Sequence, residues 1–185
     1  MKMTTSVFMK ERRYSTIKDK LRENKKIIFL AIMIILIIVI DQVAKFAIVK
    51  SIYTSSITVL EGILNFTYVE NKGGAYGIGN DSTLMFIIVN AVVITLITKF
   101  ILSKKNDIST YILVSLGLIL AGGIGNLIDR IFRGFVVDFL EFNPLIKFPV
   151  FNIADICIVL GCVLVIISFI YNAVKSRRDK WNNII

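Results

Sequence analysis

The sequence predicts an all-α integral membrane protein: four transmembrane helices in one domain, with both termini in the cytoplasm. Three observations carry this. Of 185 residues, 56% are hydrophobic and only 19% charged, against roughly half and a quarter in a soluble domain. The mean hydropathy is +0.76, and the apolar excess lies in long uncharged runs, which excludes a soluble globule, a disordered chain and a fibrous repeat. Lys and Arg are unevenly distributed between the segments that join those runs, as in a membrane protein with a defined orientation.

A spanning helix needs about 20 mostly apolar residues, and four segments supply them. The first opens with Ile27–Ile40, which holds no polar side chain, and continues to about Val49. The second is Ser82–Leu102, charged only at Lys99. The third, Thr110–Ile128, and the fourth, Ile156–Ala173, carry no charge. None shows the alternation of a barrel strand, so each reads as a helix. Residues 1–26 are basic like the start of a secretory leader. However, no A-x-A cleavage site follows the first apolar run; Asp41, Gln42 and Lys45 follow, and the run reads as a retained span. Val159-Leu160-Gly161-Cys162 has the look of a lipidation box, but it lies deep in the last span without a basic region before it. It reads as coincidence.

Nine Lys and Arg precede the first span, three lie between Lys99 and Ser109, and four follow the last span. The other two loops hold two each, Lys50 with Lys72 and Arg133 with Lys147. Sixteen against four places both termini in the cytoplasm and the loops at about 50–81 and 131–152 outside. The expected organisation is a basic cytoplasmic extension at 1–26, a four-helix domain at 27–174 and a basic cytoplasmic tail at 175–185. The extension is expected to be solvated or to lie on anionic membrane lipid. The net charge of +9 follows from this asymmetry, and no nucleic-acid partner is expected. In the first outer loop, Ile57–Val69 is rich in β-branched and aromatic residues and reads as short strands. Asn71-Lys72-Gly73-Gly74 reads as a turn. Pro144 and Pro149 interrupt the second outer loop.

There is no histidine. That removes Ser-His-Asp and Cys-His catalysis and His-ligated zinc. Cys157 and Cys162 lie in an apolar run and make no disulfide framework. Neither a metal nor a cofactor is expected, and chemistry falls to carboxylates, Ser, Lys, Tyr or the backbone.

Ionisable residues within spans are rare and functional by default. Asp41 lies roughly 21 Å from the inner end of span one, and Asn126 and Asp129 lie roughly 24 and 28 Å along span three. Asp155 opens span four, and Asp138 follows span three. Four acids thus meet near the outer surface. Asp41 and Lys45, four residues apart, read best as a structural pair. Asn126 and Asp129 share one inward face. Arg130 is free to reach headgroups. Asp155, three residues after Asn152, reads equally as a capping partner and as a reactive acid. Asp138 is set among Phe135-Val136-Val137 and Phe139-Leu140, a context that solvation does not explain, and it is the leading reactive acid. Two adjacent carboxylates share a proton, so one can deprotonate a water while the other donates to the attacked carbonyl. That is aspartic proteolysis. The 17 residues from Asp138 to Asp155 leave room for the chain to turn back.

The ordered motifs are Asp41-Gln42-x-x-Lys45, Asn71-x-Gly73-Gly74-Ala75 and Gly122-Gly123-x-Gly125-Asn126-x-x-Asp129-Arg130, then Val136-Val137-Asp138-Phe139 and Phe151-Asn152-x-Ala154-Asp155. Over about residues 27–174 this resembles the lipoprotein signal peptidases, the signal peptidase II family. The resemblance implies four membrane helices with a small extracytoplasmic β-cradle, in the bacterial cytoplasmic membrane. It implies an aspartic endopeptidase that removes signal peptides from diacylglyceryl-modified prolipoproteins by cutting before the lipidated cysteine. The catalytic role passes to Asp138 and Asp155. Asn71, Asn126, Arg130 and Asn152 match substrate-groove positions, and Asp41, Lys45, Gly74, Asp129 and Ala154 match supporting ones. A monomer is expected. Gly74 and Tyr76 depart from the Ala and Phe common in the family, and the basic leader is longer than the family leads one to expect.

Other readings fit less well. An intramembrane protease of the Gly-x-Gly-Asp type would need an acid where Asn126 stands. A Ser-Lys peptidase using Ser51, Ser55 or Ser56 with Lys45 leaves the acids unexplained. A cation-coupled transporter places its sites at the midplane between related halves, and no such halves are visible. A channel subunit or membrane scaffold stays open on physics alone.

Overall fold

The computed structural model describes residues 3–52, 55–73, 82–104, 107–142 and 148–182, with side chains from residue 24 to residue 179 and at Trp181. The elements run α1 (Met3–Ser51), β1 (Ile57–Leu60), β2 (Leu64–Asn71), α2 (Thr83–Lys104), α3 (Thr110–Arg133), β3 (Val136–Phe142) and α4 (Ile153–Asn182). Four segments, Asn24–Ser51, Thr83–Lys104, Thr110–Arg133 and Ile153–Asp179, are long and apolar enough to cross a membrane. These are the four expected spans, but their ends differ in ways that matter. α3 continues past Ile128 to Arg133, so Asp129 and Arg130 lie inside the helix. α4 begins at Ile153, which puts Asp155 in its first turn. α1 begins at Met3, so the basic leader is continuous with the first span.

The boundaries have local causes. Ser109 caps α3 by accepting the Ile112 N–H at 3.4 Å. Gly134 ends it at φ 81°, the left-handed conformation a glycine adopts without strain, and its N–H returns to the Arg130 carbonyl. Asn152 caps α4, as described below.

α3 sits at the centre and packs on α1, α2 and α4. Its most apolar stretch is half buried, whereas the other helices turn most of their Ile, Leu and Phe outward, as a bilayer permits. Small residues let α3 and α4 touch. A Cβ at Gly122 would run into the Ala154 carbonyl, and one at Gly161 would lie 2.6 Å from the Ser115 carbonyl. The lipidation-like stretch around Gly161 is therefore a helix contact.

The three strands form one antiparallel sheet, β1-β2-β3. β1 and β2 realise the strands expected within Ile57–Val69. β3 is a correction, because the sequence reading treats 131–152 as a loop. β3 pairs along β2, with Asn71 opposite Val136 and Val69 opposite Asp138. Ile48, Ile52 and Phe139 pack beneath the sheet with Phe66 and Ile153. Leu30, Ile101, Leu113 and Leu120 form the other core cluster.

Candidate active site

β3 and the first turn of α4 bring two acids to one place. Asp138 is 2% exposed. Its carboxylate accepts from Asn71 Nδ2 at 2.8 Å and Asn152 Nδ2 at 2.6 Å. Asp155 accepts from Asn126 Nδ2 at 2.8 Å and the Asn152 backbone N–H at 3.1 Å. Asn152 Oδ1 accepts the Asp155 N–H at 2.9 Å, so the reciprocal cap expected of this pair is present.

Every amide around the acids is oriented by a donor that cannot be reversed. Asn152 Oδ1 is taken by the Asp155 backbone, leaving its Nδ2 for Asp138. Asn71 Oδ1 accepts the Gly73 N–H at 3.0 Å, which also turns its Nδ2 to Asp138. Asn126 Oδ1 accepts from Lys45 Nζ at 3.0 Å, so its Nδ2 faces Asp155. Asp138 is pushed up to about 7, first by burial and then by the Asp155 charge; the amides of Asn71 and Asn152, and Lys45, pull the other way.

The acids open on a cavity of about 510 Å³ lined by Asn71, Asn126, Arg130, Asp138 and Asp155, with Phe142, Phe148 and Phe151 forming an apolar wall. The three rings pack with centroids 5.2 to 5.7 Å apart. Asn152 does not line this cavity. It is fully buried behind the acids, and its contacts go to them, to Asn126 and to the Val137 carbonyl. Asn152, expected in the substrate groove, stands behind the acids rather than on the cavity wall.

Residues 33–171 match the profile of the signal peptidase (SPase) II family. The chain belongs to the signal peptidase II family. The peptidase is 36% identical over 137 residues to a lipoprotein signal peptidase of Halothermothrix orenii, covering 74% of this chain and 91% of that one. It is 40% identical over 142 residues to a lipoprotein signal peptidase of Clostridium tetani, covering 75% and 90%. A bacterial membrane enzyme solved by the in meso method at 2.3 Å superposes with a TM-score of 0.70 at 31% identity, covering 78% of this chain and 89% of that one. A second, at 1.9 Å, gives 0.68 at 32% identity, covering 76% and 92%. The chain is a multi-pass membrane protease.

Beneath the peptidase's acids lies a second charged group. Lys45 Nζ is 2.8 Å from Asp41 and 2.9 Å from Asp129, all three essentially unexposed. Asp41 accepts the Ala154 N–H at 2.9 Å, and Asp129 accepts the Val137 N–H at 3.1 Å. Arg130 points into the site rather than toward headgroups. Its guanidinium donates to the Gly73 carbonyl at 3.1 Å and stands 5.1 Å from the centre of the Phe86 ring. Gly74 and Tyr76 lie outside the described residues.

Some participants were not anticipated. Gln42 donates to Asp41, to Asp129 and to the Gly125 carbonyl at 3.2 to 3.3 Å. Its place beside Asp41 in the sequence is the signal that points to it. The Gly125 position keeps space open for Asp41, whose Oδ2 would lie 2.9 Å from a Cβ there. The aromatic wall is assembled by the isolated bridge of Leu140 with Phe151, which no local pattern announces.

Proposed function

We propose that this chain is an aspartic endopeptidase of the bacterial cytoplasmic membrane that removes signal peptides from diacylglyceryl-modified prolipoproteins. The cut falls before the lipidated cysteine. The observation that carries this reading is that Asp138 and Asp155, from two different elements, face one cavity and are held by amides, with no cation among the described residues in contact with either. Such a pair holds one proton between two carboxyls.

In this mechanism the ionised carboxylate takes a proton from water as the water oxygen attacks the scissile carbonyl. The protonated partner donates to the carbonyl oxygen. Collapse of the tetrahedral intermediate breaks the C–N bond; the proton taken from water passes to the cysteine amine as it leaves, and a hydroxyl proton of the intermediate returns to the dyad as the new carboxyl group forms. Asn71, Asn126 and Arg130 line the cavity and bind substrate, while Asn152 holds both acids in register. Asp41, Lys45, Asp129 and Ala154 form the scaffold. Lys45 already meets Asp41, Asp129 and Asn126, which speaks against a Ser-Lys mechanism.

The Lys and Arg distribution supports cytoplasmic termini and a cavity at the extracytoplasmic face, where an exported precursor presents its cleavage site. Residues 1–26 and 175–185 are then cytoplasmic flanks of a monomeric domain at 27–174.

The test is a gel-shift cleavage assay in detergent, with a prolipoprotein prepared with and without its diacylglyceryl group. Cleavage of the lipidated form alone is expected. Cleavage of both forms alike removes the lipid requirement, and failure of a well-folded protein to cut either removes the function.

A further inference from the structure

α1 does not start where its membrane span starts. The span, Asn24–Ser51, is about 42 Å long, already the thickness of a bilayer with its headgroups. The helical backbone reaches back to Met3, which adds roughly 31 Å.

The two parts share one face. In the span, Ile28, Ile32, Ile35, Val39 and Phe46 are more than half exposed, whereas Leu30, Asp41, Lys45 and Ile48 are buried against the rest of the chain. The exposed row is thus the side of α1 turned from the bundle, where lipid lies. Steps of three, four and seven residues keep a row on one helix face. Counted back with those steps, the row continues through Leu21, Ile17, Tyr14, Val7 and Met3. The phase drifts by only about 20° between Met3 and Phe46.

Charge follows the same axis. Arg13 and Lys20 flank the row on one side, Lys18 and Arg22 flank it on the other, and Asp19 and Glu23 fall opposite it. Glu11 shares one flank. Lys10 stands within the row, a place that a long lysine stem tolerates at an interface. Residues 1–26 hold nine Lys and Arg against three acids. Basic flanks around an apolar row are the pattern of a helix lying in a membrane interface.

The row continues the side of α1 turned from its other helices, so this chain does not cover it. A second copy is opposed by charge. In a parallel pair meeting along the row, Arg13 would face Lys18 of the other copy, and Lys20 would face its Lys25. An anionic bilayer attracts all of these cations. Asn24 is the poorest helix former between Leu21 and Lys26, and it stands at the start of the span. When the helix gives way there and the preceding segment swings away from the bundle, the face that turns onto the bilayer is the row itself.

We propose that residues 3–23 are an interfacial arm that lies on anionic lipid of the leaflet in which α1 begins, with Met3, Val7, Tyr14, Ile17 and Leu21 on its bilayer side. The arm is separate from the cleavage reaction, and its test uses no precursor.

The test uses the full chain with Cys157 and Cys162 replaced by Ser, and a nitrobenzoxadiazole label on Ile17→Cys or Asp19→Cys, positions on opposite sides of the helix. The protein is placed in phosphatidylcholine nanodiscs with or without about one-third phosphatidylglycerol. With the anionic lipid, nitroxides on the lipid chains are expected to quench the label at position 17 about threefold more than the label at position 19. In phosphatidylcholine alone the two labels should be quenched alike. Arg13→Glu with Lys20→Glu should remove the difference in the anionic nanodiscs. Equal quenching at both positions in the anionic nanodiscs overturns the proposal. So does a difference that persists undiminished in phosphatidylcholine. Shielding of position 17 from water without quenching by lipid also overturns it, and assigns the row to a protein partner.

Discussion

The protein holds two pairs of aspartates, linked in space through Asn126, and treats them differently. Asp41 and Asp129 share the ammonium of Lys45, at 2.8 and 2.9 Å. Among the described residues, Asp138 and Asp155 receive only neutral N–H donors. A buried carboxylate with a cation stays charged and rigid; a pair with neutral donors relieves its repulsion by keeping a proton. Under the proposed function the first arrangement is a clamp and the second the reagent. The clamp is aimed at the reagent. Asp129 accepts the N–H of Val137, the residue before Asp138, and Asp41 accepts the N–H of Ala154, the residue before Asp155. Lys45 adds a third link by turning Asn126 toward Asp155.

Several substitutions would break or sharpen this contrast. The largest effect is expected from Asp138→Asn and from Asp155→Asn. Each should lower kcat by about 10⁴-fold or more while the protein stays folded in detergent. Retention of a tenth of the activity by either would erase the distinction between the pairs.

Removing the cation should act on stability first. Lys45→Met leaves buried Asp41 without a cation and buried Asp129 with only the partly exposed Arg133 guanidinium at 3.6 Å, and is expected to cost about 3–5 kcal/mol, read by thermal unfolding in detergent. Replacing all three residues, as Asp41→Leu, Lys45→Met and Asp129→Leu, should recover much of that stability. Cleavage should remain low, because the Val137 and Ala154 N–H groups lose their acceptors.

The effect of pH is graded. The folded Asp138 carboxyl, raised to about 7, lies above its unfolded value of about 3.9. Its contribution to stability is therefore full below about pH 4 and is lost as pH rises through about 7. The melting temperature of Asp138→Asn should accordingly gain on the unaltered protein between pH 4 and pH 8. Cleavage by the unaltered protein should fall above about pH 7, as the shared proton is lost.

The smallest effect is expected from replacing Cys157 and Cys162 together by Ser. Both thiols are free and take no part in either group of acids. Cleavage should stay within about twofold, the range of substitutions away from a mechanism.

Much of this organisation is written locally in the chain. Four uncharged runs of about 20 residues can satisfy their backbones in lipid only as helices, so the spans are legible from composition. The spacing of Asp41 with Lys45 and of Asn152 with Asp155 is that of one helical turn, so their pairing is legible too. The convergence of the acids at one end follows from the alternating direction of the spans. The strand that carries Asp138 was less accessible. Val136-Val137 and Phe139-Leu140 have strand character, but Val136–Phe142 becomes a strand through its ladder with β2, some 70 residues earlier in the chain. The same holds for the inward turn of Arg130 to the Gly73 carbonyl and for the place of Asn152 behind the acids. Sequence by itself determined which residues are apolar enough to span and which polar ones must then be buried together. Only the tertiary structure decided which carboxylates meet a cation and which meet amides, because that depends on contacts between elements far apart in the chain.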